Sequence, residues 1–131
     1  MDNNIRIGKV SSINYKNGTI RIFYKDKSES TTAELPVLNF NGEYKMPKVG
    51  AMVLVLHLSN GSAMGVVLGG YWGKNNSANG ARGLYRKELA ENEGEAFMEY
   101  QGGKLLINAE QIAFKTGKGT ITIAEIVEKL G

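Results

Sequence analysis

An all-β protein is expected from three features of this 131-residue chain. Residues 1–70 break into short apolar or alternating runs separated by turn residues, a spacing that suits strands and not helices. Asn-Gly falls between such runs twice, at Asn17-Gly18 and Asn60-Gly61. It is the strongest short-range hairpin signal, because a type I′ turn needs positive φ at both central residues. In the C-terminal part, runs of four to six residues alternate and are split by Gly102-Gly103 and by Gly117-Lys118-Gly119.

The first run opens with Ile5, Ile7 and Val10 and reaches about Tyr15. After Asn17-Gly18, Thr19 to Tyr24 (TIRIFY) alternates strongly, and polar Lys25 to Ser30 forms the next turn. Thr31 to Leu38 is a third strand, with Pro36 marking an edge or a bulge because proline lacks a ladder donor. A loop from Asn39 to Lys48 leads to Ala51–Leu58 (AMVLVLHL), which Asn60-Gly61 folds back onto Ala63–Leu68. Five strands, two tight hairpins and one long connection after the third strand match a small Greek-key barrel of the OB type. Residues 1–73 are therefore read as a barrel domain, 74–94 as a linker and 95–131 as a further β-segment.

Lys74 to Gly83 is polar and glycine-containing, and Leu84 to Glu95 carries mixed charge without a clear period, which reads as an extended connector. Beyond it, Ala96–Tyr100, Lys104–Ala109, Gln111–Lys115 and Thr120–Ile123 are short strands. Leu105 and Ile107 share one face; Ile112 and Phe114 share another. Ribbons of two or three strands are marginal alone, so these must pack on the barrel or on copies of themselves. The last nine residues read as helix. Thr122 followed by Glu125 fits a capping box, and Ile123, Ile126, Val127 and Leu130 form an apolar stripe. So short a helix has to dock, and three such stripes meeting around an axis would serve.

The chemistry legible in the chain is sparse. It has no cysteine, which excludes disulfides, cysteine zinc sites and thiol nucleophiles. The glycine-rich stretch MGVVLGGYWGKNNS invites comparison with a phosphate loop, but Leu68 stands where the motif needs its first glycine and Asn75 where it needs Ser or Thr. It reads instead as a last strand, Met64–Leu68, then a barrel exit in which Gly69 and Gly70 turn the chain outward. Tyr71 and Trp72 then pack on the barrel or a neighbouring subunit. His57, the one histidine, shares a strand face with Val53 and Val55 and reads as structural; a hydrolase built on it would lack a nucleophile elbow. Glu88, Glu91, Glu93, Glu95 and Glu99 follow Arg82, Arg86 and Lys87, the pattern of a solvated mixed-charge segment. No cofactor or metal is expected. A net charge of +3 is mild. Single-stranded nucleic-acid binding remains the alternative, with Tyr15, Phe23, Tyr24, Arg21, Lys16, Lys25 and Lys27 as raw material. The N-terminus MDNNIRIGKV lacks an apolar signal region, so synthesis in the cytoplasm without a secretory signal is expected.

Several segments carry a family resemblance. They are Gly8-Lys9-Val10 in the first strand, Leu35-Pro36-Val37 in the third, Pro47-x-Val49-Gly50 before the fourth, and Gly65-Val66-Val67-Leu68-Gly69-Gly70 in the fifth. In this order and spacing, across about seventy-five residues, the chain resembles the N-terminal OB domain of the phage baseplate assembly protein V family. These are the central spikes of contractile phage tails, phage-tail-like bacteriocins and related contractile injection systems. The resemblance implies a homotrimer with three barrels as a collar and the C-terminal segments intertwined into a β-helix or β-prism. Leu105, Ile107, Ile112, Phe114, Ile121, Ile123, Ile126, Val127 and Leu130 would then face the trimer axis. It implies assembly into a virion or tail-like particle, baseplate hub and tail-tube partners, and mechanical membrane piercing driven by sheath contraction, with no enzymatic step. The chain departs from relatives that carry a longer β-helix, an iron-binding His-x-His tip or a fused lysozyme domain. A minimal spike is expected, blunt or capped by a separate small tip protein.

Overall fold

The computed structural model describes residues 4–25, 30–58 and 64–131. Its chain divides into two compact units, Met1–Ala78 and Asn79–Gly131. The first holds β1 (Ile5–Asn14), β2 (Thr19–Phe23), β3 (Leu35–Pro36), β4 (Met52–His57) and β5 (Gly65–Gly70). They form one sheet in the order β3-β2-β1-β4-β5, antiparallel throughout. A parallel bridge between Val37 and Val67, with the Leu38 N–H donating to the Val67 carbonyl at 2.9 Å, brings the two edges together. The result is a nearly closed five-stranded barrel, which leaves little open edge to pair with other chains.

Alternation makes the barrel core. Val10, Ile20, Ile22, Leu35, Val53, Val55 and Val67 are at most 1% exposed, and every strand contributes at least one of them. Tyr24 joins this cluster from just beyond β2. Each core valine or isoleucine is β-branched, the side chain that suits a pleated, buried surface.

Three expectations for the barrel change. The first hairpin is not a two-residue turn: the last ladder pair is Asn14–Thr19, so Tyr15 to Gly18 form a four-residue loop. Only Gly18 of the Asn-Gly pair is left-handed, at φ 67°, because the Asn14 side chain holds the Asn17 N–H at 3.2 Å and the Asn14 carbonyl takes the Gly18 N–H at 2.9 Å. The third strand shrinks from Thr31–Leu38 to two residues. The Ile22 N–H donates to the Thr32 hydroxyl at 3.0 Å instead of to a carbonyl, which breaks the ladder ahead of Leu35. Finally, Gly69 and Gly70 do not leave the barrel: they pair with Leu54 and Val53 inside β5. The expected turn at Asn60-Gly61 lies outside the described residues.

The second unit holds β6 (Tyr85–Glu88), β7 (Phe97–Gln101) and β8 (Lys104–Asn108) as a three-stranded antiparallel sheet. Next come a hairpin of β9 (Ala113–Thr116) and β10 (Gly119–Thr122), then α1 (Ile123–Leu130). The stretch 74–94, read as a linker, thus contains a strand of the second unit. A two-residue turn joins β7 to β8. Gly102 and Gly103 sit at φ 61° and 83°, the left-handed pair that a type I′ turn requires. Helix α1 begins with the expected capping box. The Thr122 hydroxyl accepts the Glu125 N–H at 3.1 Å, and the Glu125 carboxylate accepts the Thr122 N–H at 3.1 Å.

Candidate functional site

His57 lies inside the barrel on the side of Val53 and Val55, 6% exposed. Its Nε2 meets the Tyr24 hydroxyl at 2.7 Å and its Nδ1 faces the Met64 carbonyl at 3.4 Å. A carbonyl only accepts, so Nδ1 is the donor to Met64, and in the neutral ring Nε2 then accepts from the Tyr24 hydroxyl. The two rings meet edge to face at 5.7 Å, and the Arg6 guanidinium lies 4.0 Å above the Tyr24 ring. Two glycines make the room. A Cβ on Gly8 would overlap Ile22 Cγ2 and stand 2.6 Å from Tyr24 Cε1; one on Gly65 would stand 2.7 Å from the Leu56 carbonyl oxygen and 3.1 Å from His57 Nδ1. Both rings are enclosed and bonded to each other.

Of the two settings expected for the chain leaving β5, packing on the barrel is not the one seen for Trp72. Trp72 is 71% exposed and Tyr71 is also exposed, so Trp72 does not pack on the barrel. Instead the stretch closes on itself: Gly73 and Asn76 exchange backbone hydrogen bonds, and the Asn76 side chain donates to the Tyr71 carbonyl at 3.1 Å. Within β5, the ladder jumps from Leu54–Gly69 to Val55–Val67, so Leu68 is the extra residue of a β-bulge. Gly69, at φ 135°, supplies the conformation this bulge needs.

Of the residues named for base stacking, Arg21 and Phe23 share the face of β2 opposite Ile20 and Ile22. Tyr24 is in the core, Tyr15 is exposed at the first hairpin, and Lys27 lies outside the described residues. Beside β2, Glu34 accepts a 2.6 Å hydrogen bond from the Thr19 hydroxyl and stands 4.0 Å from Arg21. The Thr19 hydroxyl, the Asn14 side chain and the Arg21 charge hold the Glu34 carboxyl below the usual carboxylate range.

The residues expected at a trimer axis lie in or next to the sheet, hairpin and helix of residues 79–131. Residues 79–131 are all described, and none of them is buried. The register aligns Tyr85 with Tyr100 and Leu105, and Lys87 with Met98 and Ile107, so these six share one face of the β6–β7–β8 sheet. Leu105 and Ile107 were expected there. Tyr85, Met98 and Tyr100 were not, although their two-residue spacing within each run carries the signal. The opposite face is mixed, with Phe97 and Leu106 among Arg86, Glu88, Glu99 and Asn108. Arg86 bonds Glu88 and, at 2.9 Å, Glu99, while its guanidinium covers the Phe97 ring at 3.6 Å. Hydrogen bonds to Glu88 first and then Glu99 raise the Arg86 pKa further. Phe114 and Ile121 are cross-strand partners on one face of the β9–β10 hairpin. Ile112 is tied to the start of α1 through its carbonyl, which accepts the Ile123 N–H at 2.8 Å. Ile123, Val127 and Leu130 are exposed, and Ile126 is half-buried.

Among the described residues, no cluster of three or more His, Asp or Glu side chains could hold a metal ion, and no helix is long and apolar enough to cross a membrane. No protein-family model matches the chain, and no curated protein matches it.

Proposed function

We propose that this chain is the structural spike of a contractile tail or injection-system baseplate, a homotrimer pushed through a cell envelope by sheath contraction. One observation carries the reading: residues 79–131 form three regular elements, a sheet, a hairpin and a capped helix, yet bury no side chain. Fixing a backbone costs about 1–2 kcal/mol per residue, and only buried apolar surface offsets a cost of that size. Other copies of the chain are the natural source of that surface. Strand order and the parallel bridge between the barrel's edges also fit the OB type that the family resemblance implies.

In this role the molecule performs no covalent step. Axial force is carried because strands shared among three chains must break many interchain hydrogen bonds together. The barrels form the collar, facing hub and tail-tube proteins, and the distal end is blunt or carries a small tip protein. The oligonucleotide-binding alternative is less well supported, since Tyr24, one of its stacking candidates, is enclosed in the core.

Light scattering on the purified chain tests the proposal. The expected mass is three times 14.3 kDa, stable on dilution. A monomer at micromolar concentration overturns the trimer, and tight, salt-sensitive binding of a labelled oligonucleotide would favour the alternative.

A further inference from the structure

Asn-Gly occurs at four places, Asn17-Gly18, Asn41-Gly42, Asn60-Gly61 and Asn79-Gly80. The dipeptide favours turns, and it is also chemically reactive. Glycine has no side chain, so its backbone nitrogen can approach the carboxamide of the asparagine before it. Attack needs that nitrogen free, because an N–H already donating to an oxygen must first let go. Exposure does not rank the steps, since Asn17, Asn41 and Asn79 are all exposed. Hydrogen bonding does. The Gly18 N–H donates to the Asn14 carbonyl at 2.9 Å, and the Gly42 N–H to the Asn39 Oδ1 at 3.4 Å. Among the described residues, neither the Gly80 N–H nor the Asn79 carboxamide has a hydrogen-bond partner. Asn60-Gly61 lies outside the described residues.

We propose that Asn79-Gly80 is a self-modification site, at which Asn79 deamidates without an enzyme and faster than Asn17 or Asn41. Base takes the Gly80 amide proton, and the nitrogen forms a bond to Asn79 Cγ. The Cγ–Nδ2 bond breaks, and ammonia leaves with a proton from solvent. Water then opens the resulting succinimide. Breaking the new Cγ–N bond leaves aspartate in an ordinary chain. Breaking the original backbone C–N bond leaves isoaspartate, whose chain runs through Cβ and Cγ. The sum is asparagine and water giving aspartate or isoaspartate and ammonia, with nothing oxidised or reduced. Asn79 opens the second compact unit, so the change falls at the covalent link between the two. It takes the net charge of the chain from +3 to +2, and the isoaspartate form adds a methylene to the backbone of that link. Asn79 is left-handed at φ 53°, a conformation that asparagine and aspartate both tolerate, so the aspartate form keeps the local backbone. None of this depends on how the chain assembles.

Gly80 supplies a control. Its φ is not left-handed and a Cβ there would meet nothing within 4 Å, so Gly80→Ala fits the fold while crowding the attacking nitrogen. The full-length parent and Gly80→Ala are held in mildly alkaline buffer made with heavy-oxygen water, sampled over days and digested with trypsin. Tandem mass spectrometry follows the mass gain at each asparagine, and the heavy oxygen marks deamidation that preceded digestion. In the native parent Asn79 should react at least about ten-fold faster than Asn17 and Asn41, whose glycine N–H groups must first break a hydrogen bond. Gly80→Ala should slow Asn79 by about ten-fold and leave the thermal midpoint and the other two rates unchanged. Denaturant should bring the three parent rates within about three-fold of one another. Asn79 reacting no faster than Asn17 or Asn41 in the native parent overturns the proposal. A rate at Asn79 that Gly80→Ala leaves unchanged overturns it too, because the reaction would not then pass through the Gly80 nitrogen. So does a ten-fold gap that persists in denaturant, since neighbouring sequence and not hydrogen bonding would then set the ranking.

Discussion

Gly8 and Gly65 stand where the barrel leaves no room for a side chain. Each sits where a Cβ would strike a neighbour, at Gly8 the Ile22 and Tyr24 side chains and at Gly65 the Leu56 carbonyl. Gly8→Ala should therefore destabilise the chain by about 1–3 kcal/mol, the cost of overpacking a filled core, read from the urea midpoint. Tyr24→Phe removes the donor to His57 Nε2 and should cost about 1–3 kcal/mol, since a buried acceptor loses its partner. At Glu34 the sign follows from a depressed pKa. The native carboxyl titrates below its ordinary value of 4.5, so its stabilisation is complete above that pH and disappears as pH falls through the native value. The gap in thermal midpoint between the parent and Glu34→Gln should thus be present at pH 7 and narrow as the pH falls below 4.5. A gap that widens in acid would contradict the assignment.

Single elements show where local rules prevail and where neighbours override them. Helix α1 keeps its capping box, an acidic residue in the first turn at Glu125 and a basic one in the last at Lys129, all favourable to the helix dipole. Eight residues cannot hold a helix alone, so the cap should matter more than usual. Thr122→Ala is expected to cost about 1 kcal/mol, seen as roughly five-fold faster amide exchange confined to α1. In β3 the outcome is the reverse. Pro36 was a visible warning, but the break at Thr32 comes from a side-chain hydroxyl taking a backbone partner on β2, a contact between residues ten apart.

Across the molecule, the two units differ in kind. Residues 1–78 own a closed apolar cluster; residues 79–131 own none. A chain ending at residue 78 should therefore stay folded, with a cooperative thermal transition, and associate weakly or not at all by light scattering. Cutting after 94 is expected to be worse, because β6 would then be left without β7. A fragment of residues 79–131 at low micromolar concentration should lose its strand signal on dilution if its order depends on other copies. Strand signal that is independent of concentration would count against self-assembly.

Much of this was legible before any fold was known. The alternation of Thr19–Tyr24 and of Val53, Val55 and His57 placed those side chains correctly, because a strand's two-residue period is a property of the backbone. Capping at Thr122 was equally readable, since it needs only residues three apart. The Asn-Gly turn misled because Asn14, three residues upstream, captured the Asn17 N–H and stretched the loop. Gly69 and Gly70 misled because a glycine pair serves a bulge as well as an exit, and only pairing with β4 tells the two apart. Strand β6 was missed because a run of four mixed residues has no identity until β7 lies beside it. Periodicity and capping act within a few residues and so survive in one dimension. Pairing, bulging and the contrast between a unit with a core and a unit without one depend on contacts far apart in the chain, and folding alone brings those into being.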